Sequence, residues 1–168
     1  MKFFSGFCFQ NEVELFKEYL NDSDFCVAGF SKGAQEAFEF CFTCKQRIDK
    51  LQLFSPAFFQ DKDERFKKLQ LVSFRKNRKN YIKNFIINAL YPSSKDIFAY
   101  YKEGSYEELK TLLEYNWEQN RIEELLDKGV EIEVFVAEKD KIITSHSVVE
   151  FFTPFADVYF IKGVGHTL

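Results

Sequence analysis

The sequence predicts an α/β fold with a parallel sheet of about five strands, interrupted after the third strand by a long helical insertion. Two observations carry this. Short apolar runs at 1–4, 25–30, 50–56, 131–137 and 157–162 are separated by amphipathic stretches, the alternation that builds parallel sheets through helical crossovers. Between 57 and 128 the strand pattern vanishes, and charge-rich helical periodicity replaces it. Residues 1–56 and 129–168 therefore read as the core and 57–128 as an insertion within a single domain. A chain of 168 residues suits that plan, being long enough to bury roughly two thirds of its unfolded surface.

The first strand, 1–4, breaks into the glycine-bearing loop Ser5-Gly6-Phe7-Cys8. Asn11 then precedes Glu12, Val13, Glu14, Leu15, Phe16, Tyr19 and Leu20, which predicts an N-capped amphipathic helix with acids in its first turn. Asn21-Asp22-Ser23-Asp24 stops it. The second strand runs into Gly29-Phe30-Ser31-Lys32-Gly33 and then into a helix with Ala34, Ala37, Phe38 and Cys41 on one side, continuing to about Lys45. The third strand is closed by Pro56, which has no amide to extend a ladder. In the insertion, helices are predicted at 64–74, 81–90, 96–101, 106–117 and 121–126; Ser105 and Glu108 form a capping-box spacing at the start of the fourth. Gly129 ends the insertion. The fourth strand, 131–137, leads to Glu138-Lys139-Asp140, a helix at about 145–152 follows, and the fifth strand ends in Gly163-Val164-Gly165-His166.

The Gly29-to-Gly33 segment has the form of a nucleophile elbow. A strand-to-helix turn this tight leaves no room for side chains on either flank, and it lifts the Ser31 hydroxyl above the sheet edge. The helix that follows aims its unsatisfied first amides, that of Lys32 included, toward an oxygen that becomes negative during attack on a carbonyl. Serine is a weak nucleophile until an imidazole takes its proton, and the imidazole needs a carboxylate to hold its tautomer. Asp140 and His166 follow Ser31 in that order, each past the C-terminal end of a predicted strand, which is the triad order of α/β-hydrolases. His146 falls inside a predicted helix, and Glu138 and Asp157 are less well placed than Asp140.

Composition restricts the partners. The net charge of −3 gives no bulk attraction to nucleic acid or an anionic membrane, and no apolar run approaches the length of a membrane span. Four cysteines without a leading apolar segment fit a reducing cytoplasm. Cys41 and Cys44 close a helix instead of opening one, so they read as buried thiols, and no residue pattern calls for a metal or cofactor. Ser55, beside Pro56, is not a candidate nucleophile.

Several strings go beyond generic hydrolase motifs: Phe3-Phe4-Ser5-Gly6-Phe7, Gly29-Phe30-Ser31-Lys32-Gly33-Ala34, Leu53-Phe54-Ser55-Pro56, Glu103-Gly104-Ser105-Tyr106-Glu107-Glu108-Leu109, Lys128-Gly129-Val130-Glu131-Ile132-Glu133-Val134-Phe135 and the terminal His166. With these, nearly the whole chain resembles the BioV type of pimeloyl-acyl-carrier-protein methyl ester esterase, an α/β-hydrolase of biotin synthesis. The resemblance implies cleavage of a methyl ester from a pimeloyl chain still held on its carrier protein. It makes Ser31 the nucleophile, Asp140 the orienting acid and His166 the base, with oxyanion donors from the amides of Lys32 and Phe7. Ser5-Gly6-Phe7 stands where many hydrolases carry His-Gly-Trp or His-Gly-Gly, so Gly6 is the alternative donor. The Phe7 ring would also wall one side of the acyl groove, its competing role being plain core.

Under the same resemblance the insertion becomes a cap that chooses substrate. Between 62 and 83 it concentrates basic residues, among them Arg65, Lys68, Arg75, Arg78 and Lys79, in a weakly acidic protein. Local positive charge of this kind would steer an acidic carrier protein, although a solvated helix face accounts for any one lysine. A general carboxylesterase or thioesterase, and a non-catalytic carrier-binding domain, are the competing functions.

The expected fold is thus a reduced α/β-hydrolase. If its strands lie in chain order, right-handed crossovers put every connecting helix on one face and leave the other bare. The expected cover is a second subunit in a homodimer, part of the insertion, or a different strand order.

Overall fold

A computed structural model describes residues 1–93 and 98–168. Its sheet has five parallel strands in chain order: β1 (Lys2–Phe4), β2 (Cys26–Phe30), β3 (Lys50–Phe54), β4 (Glu131–Ala137) and β5 (Asp157–Ile161). The register is continuous across the middle, with Phe30 opposite Phe54 and Phe54 opposite Phe135. All five predicted strands are present, so Ser31, Ser55 and the loop carrying Asp140 emerge together at one sheet edge. Backbone bonds prolong the ladder by one step there, from the Ser31 amide to the Phe54 carbonyl at 2.9 Å and from the Ser55 amide to the Phe135 carbonyl at 2.8 Å.

One face carries the main core. Helix α1 (Lys32–Thr43) and, further along the chain, α6 (Ser145–Phe152) lie on it. Ala34, Ala37, Phe38 and Cys41 of α1 meet Val27, Leu51 and Leu53, the strand residues whose side chains point to that face. The insertion supplies α2 (Glu64–Lys76), α3 (Arg78–Leu90), α4 (Tyr106–Glu114) and α5 (Gln119–Asp127). Asp63 caps α2 through the Phe66 amide, Asn77 caps α3 through the Asn80 amide, and Ser105 with Glu108 closes the expected capping box on α4. Helix α4 stops at Glu114, short of the expected 117. The chain turns extended at Tyr115 so that buried Trp117 can donate from Nε1 to the Ala57 carbonyl at 2.9 Å. The helix expected at 96–101 lies partly outside the described residues; Phe98–Tyr100 is a 3-10 turn.

The second face is covered from within the chain. Ala28, Phe30, Phe54 and Phe135 form its apolar half, and Phe9 and Phe16 close over them with Ala89 of α3. The Phe16 ring lies 4.9 Å from that of Phe30 and 4.8 Å from that of Phe54; burying such a side chain stabilises by about 1.5–3 kcal/mol. Two expectations are corrected here. The connection between β1 and β2 does not cross on the α1 face, so its hand is opposite to that of β2–α1–β3. The steric reason for right-handed crossovers concerns a full helix packing back on the sheet, and this connection contains only a 3-10 helix, Glu12–Phe16. That is the second correction: the helix expected over 12–20 is one short turn, Asn11 adopts a left-handed φ of 56° and makes no side-chain cap, and Glu12 is buried. The remaining half of this face is polar and satisfied. Lys50 Nζ lies 2.5 Å from Glu133 Oε1, and Gln52 donates to Glu133 Oε2 at 2.7 Å and to the Tyr19 carbonyl at 2.9 Å.

Candidate active site

At the apex between β2 and α1, Ser31 has φ 53° and ψ −114°, a strained conformation that L residues seldom adopt without a surrounding structure to impose it. Its neighbours permit the turn. A Cβ on Gly29 would collide with the carbonyl of Gly33, and one on Gly33 would collide with the carbonyls of Phe4 and Ser5. The elbow is therefore wedged directly against the end of β1, which fixes the Ser5-Gly6-Phe7 loop beside the serine.

Three side chains from separate parts of the sequence converge there. His166 Nε2 stands 2.9 Å from Ser31 Oγ, and His166 Nδ1 stands 2.6 Å from Asp140 Oδ2. The other carboxylate oxygen of Asp140 accepts the amides of Ile142 at 2.7 Å and Ile143 at 3.1 Å, which locks its rotamer. With the imidazole proton on Nδ1, bonded to Asp140, Nε2 is free to accept from the Ser31 hydroxyl. Ser31 and His166 are buried and the Asp140 side chain is wholly shielded, so bulk water is excluded and charge–dipole interactions are strengthened. The competing residues lie elsewhere. Glu138 is exposed and accepts the Gly163 amide at 2.8 Å, Asp157 is exposed at the start of β5, and His146 is exposed on α6.

The donors near the serine separate by their bonding. The amide of Lys32 opens α1 and has no intrahelical acceptor. The amide of Gly6 is already used, donating to Glu12 Oε1 at 2.6 Å. The amide of Phe7 has no acceptor among the described residues, while its ring packs toward the cap at 6.5 Å from Phe74 and 5.3 Å from Phe85. The Lys32 side chain turns away to pair with Glu36. Two buried polar residues bonded around the elbow and its neighbouring loop, Gln35 and Glu12, carry no site motif in the sequence. Gln35 ties the site to the cap by donating to the carbonyls of Ala57 at 3.0 Å and Leu112 at 3.1 Å, its only signal being a polar residue between Ala34 and Ala37. The sequence presents Glu12 as a first-turn acid of an amphipathic helix, whereas the structure buries it against the Gly6 amide.

The thiols take no part. Burial pushes Cys41 up to about 12, Cys26 to about 11 and Cys8 to about 12, which leaves them protonated and unreactive, and no disulfide links them. Among the described residues there is no cluster of side chains suited to a metal ion, and no helix long and apolar enough to cross a membrane.

The basic residues of the insertion divide into two groups. Arg78 is tied down: it donates to the Gly104 carbonyl at 2.7 Å and lies 3.1 Å from Glu103, and Arg75 sits 4.0 Å over the Tyr106 ring. Arg65, Lys68 and Lys79 are exposed and have no bonded partner among the described residues. Helical geometry puts Arg65, Lys68, Leu69, Val72 and Lys76 on one side of α2, and that side faces solvent, with Leu69 59% and Val72 60% exposed.

No family model matches the sequence, and no curated protein matches it at a significant level. Solved structures do match. MenH from S. aureus is 15% identical with a TM-score of 0.58, over 98% of this chain and 85% of that one. A bromoperoxidase from Bacillus anthracis is 15% identical with a TM-score of 0.62, over 85% of this chain and 60% of that one. The carboxylesterase CesB from Bacillus subtilis is 15% identical with a TM-score of 0.53, over 93% of this chain and 57% of that one. The chain thus spans less than two thirds of the length of several proteins it resembles. At these identities the likeness concerns architecture alone, and with the five-stranded parallel sheet it establishes a reduced form of the α/β-hydrolase fold.

Proposed function

We propose that this protein is a serine ester hydrolase, and that its substrate is the methyl ester of a pimeloyl chain carried on an acyl-carrier protein. The observation that carries the first half is the bonded series Ser31 Oγ, His166 Nε2, His166 Nδ1, Asp140 Oδ2, held at 2.9 and 2.6 Å in a buried position at the sheet edge. In the proposed reaction Ser31 Oγ attacks the ester carbonyl as His166 Nε2 takes its proton. The amides of Lys32 and Phe7 hold the negative oxygen, and Asp140 stabilises the imidazolium. The tetrahedral intermediate collapses, His166 gives the proton to the departing methoxide, and methanol leaves. Water, deprotonated by the same imidazole, then attacks the acyl-serine, the bond from the acyl carbon to Ser31 Oγ breaks, His166 returns the proton to Ser31, and the free carboxylate leaves.

The second half rests on the sequence resemblance and on the outer face of α2, where unpaired Arg65 and Lys68 flank exposed Leu69 and Val72. An acidic partner with an apolar contact fits such a surface, and docking there would deliver the acyl chain to the cap. A general carboxylesterase or thioesterase is the second reading, favoured by the same triad without the α2 face. The two separate in one comparison, hydrolysis of the carrier-linked pimeloyl methyl ester against a free short-chain methyl ester. The proposal requires kcat/KM for the carrier-linked substrate to be higher by at least about tenfold, a difference of about 1.4 kcal/mol in transition-state binding. Equal efficiency on both would leave the general esterase.

A further inference from the structure

Glu12 is the one acidic residue among the described residues that is buried as a whole, and the reaction proposed above gives it no task. Its Oε1 accepts the Gly6 amide at 2.6 Å, while Oε2, equally shielded, has no partner within hydrogen-bond geometry among the described residues. Burial raises its pKa against the lowering effects of the Gly6 amide, its own amide and the nearby Ser5 hydroxyl, and a carboxyl with one oxygen unbonded in this setting costs stability that an apolar side chain would not. The loop it holds lies against the nucleophile's own strand. A Cβ on Gly6 would stand 2.6 Å from Phe30 Cδ1, and Phe30 is the residue before Ser31. The turn is closed by the Phe9 amide donating to the Gly6 carbonyl at 3.0 Å. Both polar groups of Gly6 are therefore spoken for, and the next amide along, that of Phe7, has no acceptor among the described residues.

We propose that Glu12 is a positioning residue of the oxyanion site: by taking up the Gly6 amide it fixes the Gly6–Phe7 peptide so that the Phe7 amide faces the oxygen made negative when Ser31 is acylated. The inference rests on the serine ester hydrolase reading. It gives a task to the buried carboxyl six residues beyond Gly6. It also removes Gly6 from the candidate donors, since an amide bonded at 2.6 Å is not free to serve a second acceptor that forms only in the transition state.

The test uses an alkyl boronic acid, which adds to the serine hydroxyl as a tetrahedral anion, with amide resonances followed in the isotopically labelled wild-type protein. On adduct formation the amide signals of Phe7 and Lys32 shift and that of Gly6 keeps its place. Glu12→Gln, which retains an acceptor for Gly6, keeps kcat for a small ester within about twofold. Glu12→Ala lowers kcat roughly ten- to hundredfold with KM unchanged, and weakens the boronate by a similar factor, as a misplaced oxyanion donor requires. A folded Glu12→Ala with unchanged kcat overturns the proposal, and so does a wild-type adduct that shifts Gly6 and leaves Phe7, even if the alanine variant does not fold. A wild-type protein that forms no adduct at Ser31 overturns the ester hydrolase reading itself, and the positioning role with it.

Discussion

The Arg78 guanidinium donates to the Gly104 carbonyl at 2.7 Å, and Gly104 lies so close to the Ser5-Gly6-Phe7 loop that a Cβ on it would stand 2.5 Å from the Phe7 ring. A cation that the sequence places in a basic docking cluster is therefore part of the contact between the insertion and the loop beside Ser31. Two kinds of charge reversal should behave differently. Arg78→Glu should lower turnover of free and carrier-linked esters alike, because it opposes Glu103 and releases the loop over Phe7. Reversal of Arg65, Lys68 and Lys79 together should raise KM for the carrier-linked ester alone and flatten the salt dependence of its association rate. Steady-state kinetics on both substrates checks this, and a parallel loss on both after the triple reversal would remove the docking role.

The carboxylate partner of His166 gives a second contrast. Asp140→Asn should lower kcat on the order of ten-thousandfold while the protein stays folded, since an amide in that place favours the wrong imidazole tautomer. Glu138→Gln should change kcat by less than about twofold, because the Glu138 carboxylate is exposed and accepts the Gly163 amide, away from His166. Kinetics on the purified variants decides it, and a larger loss from Glu138→Gln would reassign the acid.

Much of this arrangement could be read in the sequence because it depends on local rules. Gly29, Ser31 and Gly33 specify a turn that only small flanks permit, and the strands before Ser31, Asp140 and His166 are legible as apolar runs. The covering of the second face was harder to foresee. Its explanation was partly in view, since Lys50, Gln52, Glu131 and Glu133 alternate with apolar residues and mark half of that face as polar. The apolar half depends on Phe9 and Phe16 folding back across β2 and β3, a long-range contact that competes with the helical periodicity of 12–20 and wins because two rings become buried. Glu12 illustrates the same limit. As a first-turn acid it looks like a dipole partner, and only the close return of the chain to Gly6 gives it another role.

Glu12 also sets a pH dependence of stability. Its pKa in the folded protein is raised by burial, so on raising pH the unfolded chain loses this proton first. Its contribution then disfavours folding increasingly from the ordinary carboxylate range up through the raised folded pKa, and stays constant above it. Glu12→Gln has no proton to lose there. Urea unfolding of both proteins from pH 4 to 9 should show the glutamine variant gaining on the wild type as pH rises; a constant difference would mean that the carboxyl titrates normally.

The central claim is that Ser31 carries ester hydrolysis, and release of methanol from the pimeloyl methyl ester of an acyl-carrier protein tests it most directly. The wild-type protein should release one methanol for each free carboxylate formed on the carrier, and Ser31→Ala, folded by circular dichroism, should be slower by roughly a millionfold. No methanol from the wild type, or undiminished methanol from Ser31→Ala, would contradict the account.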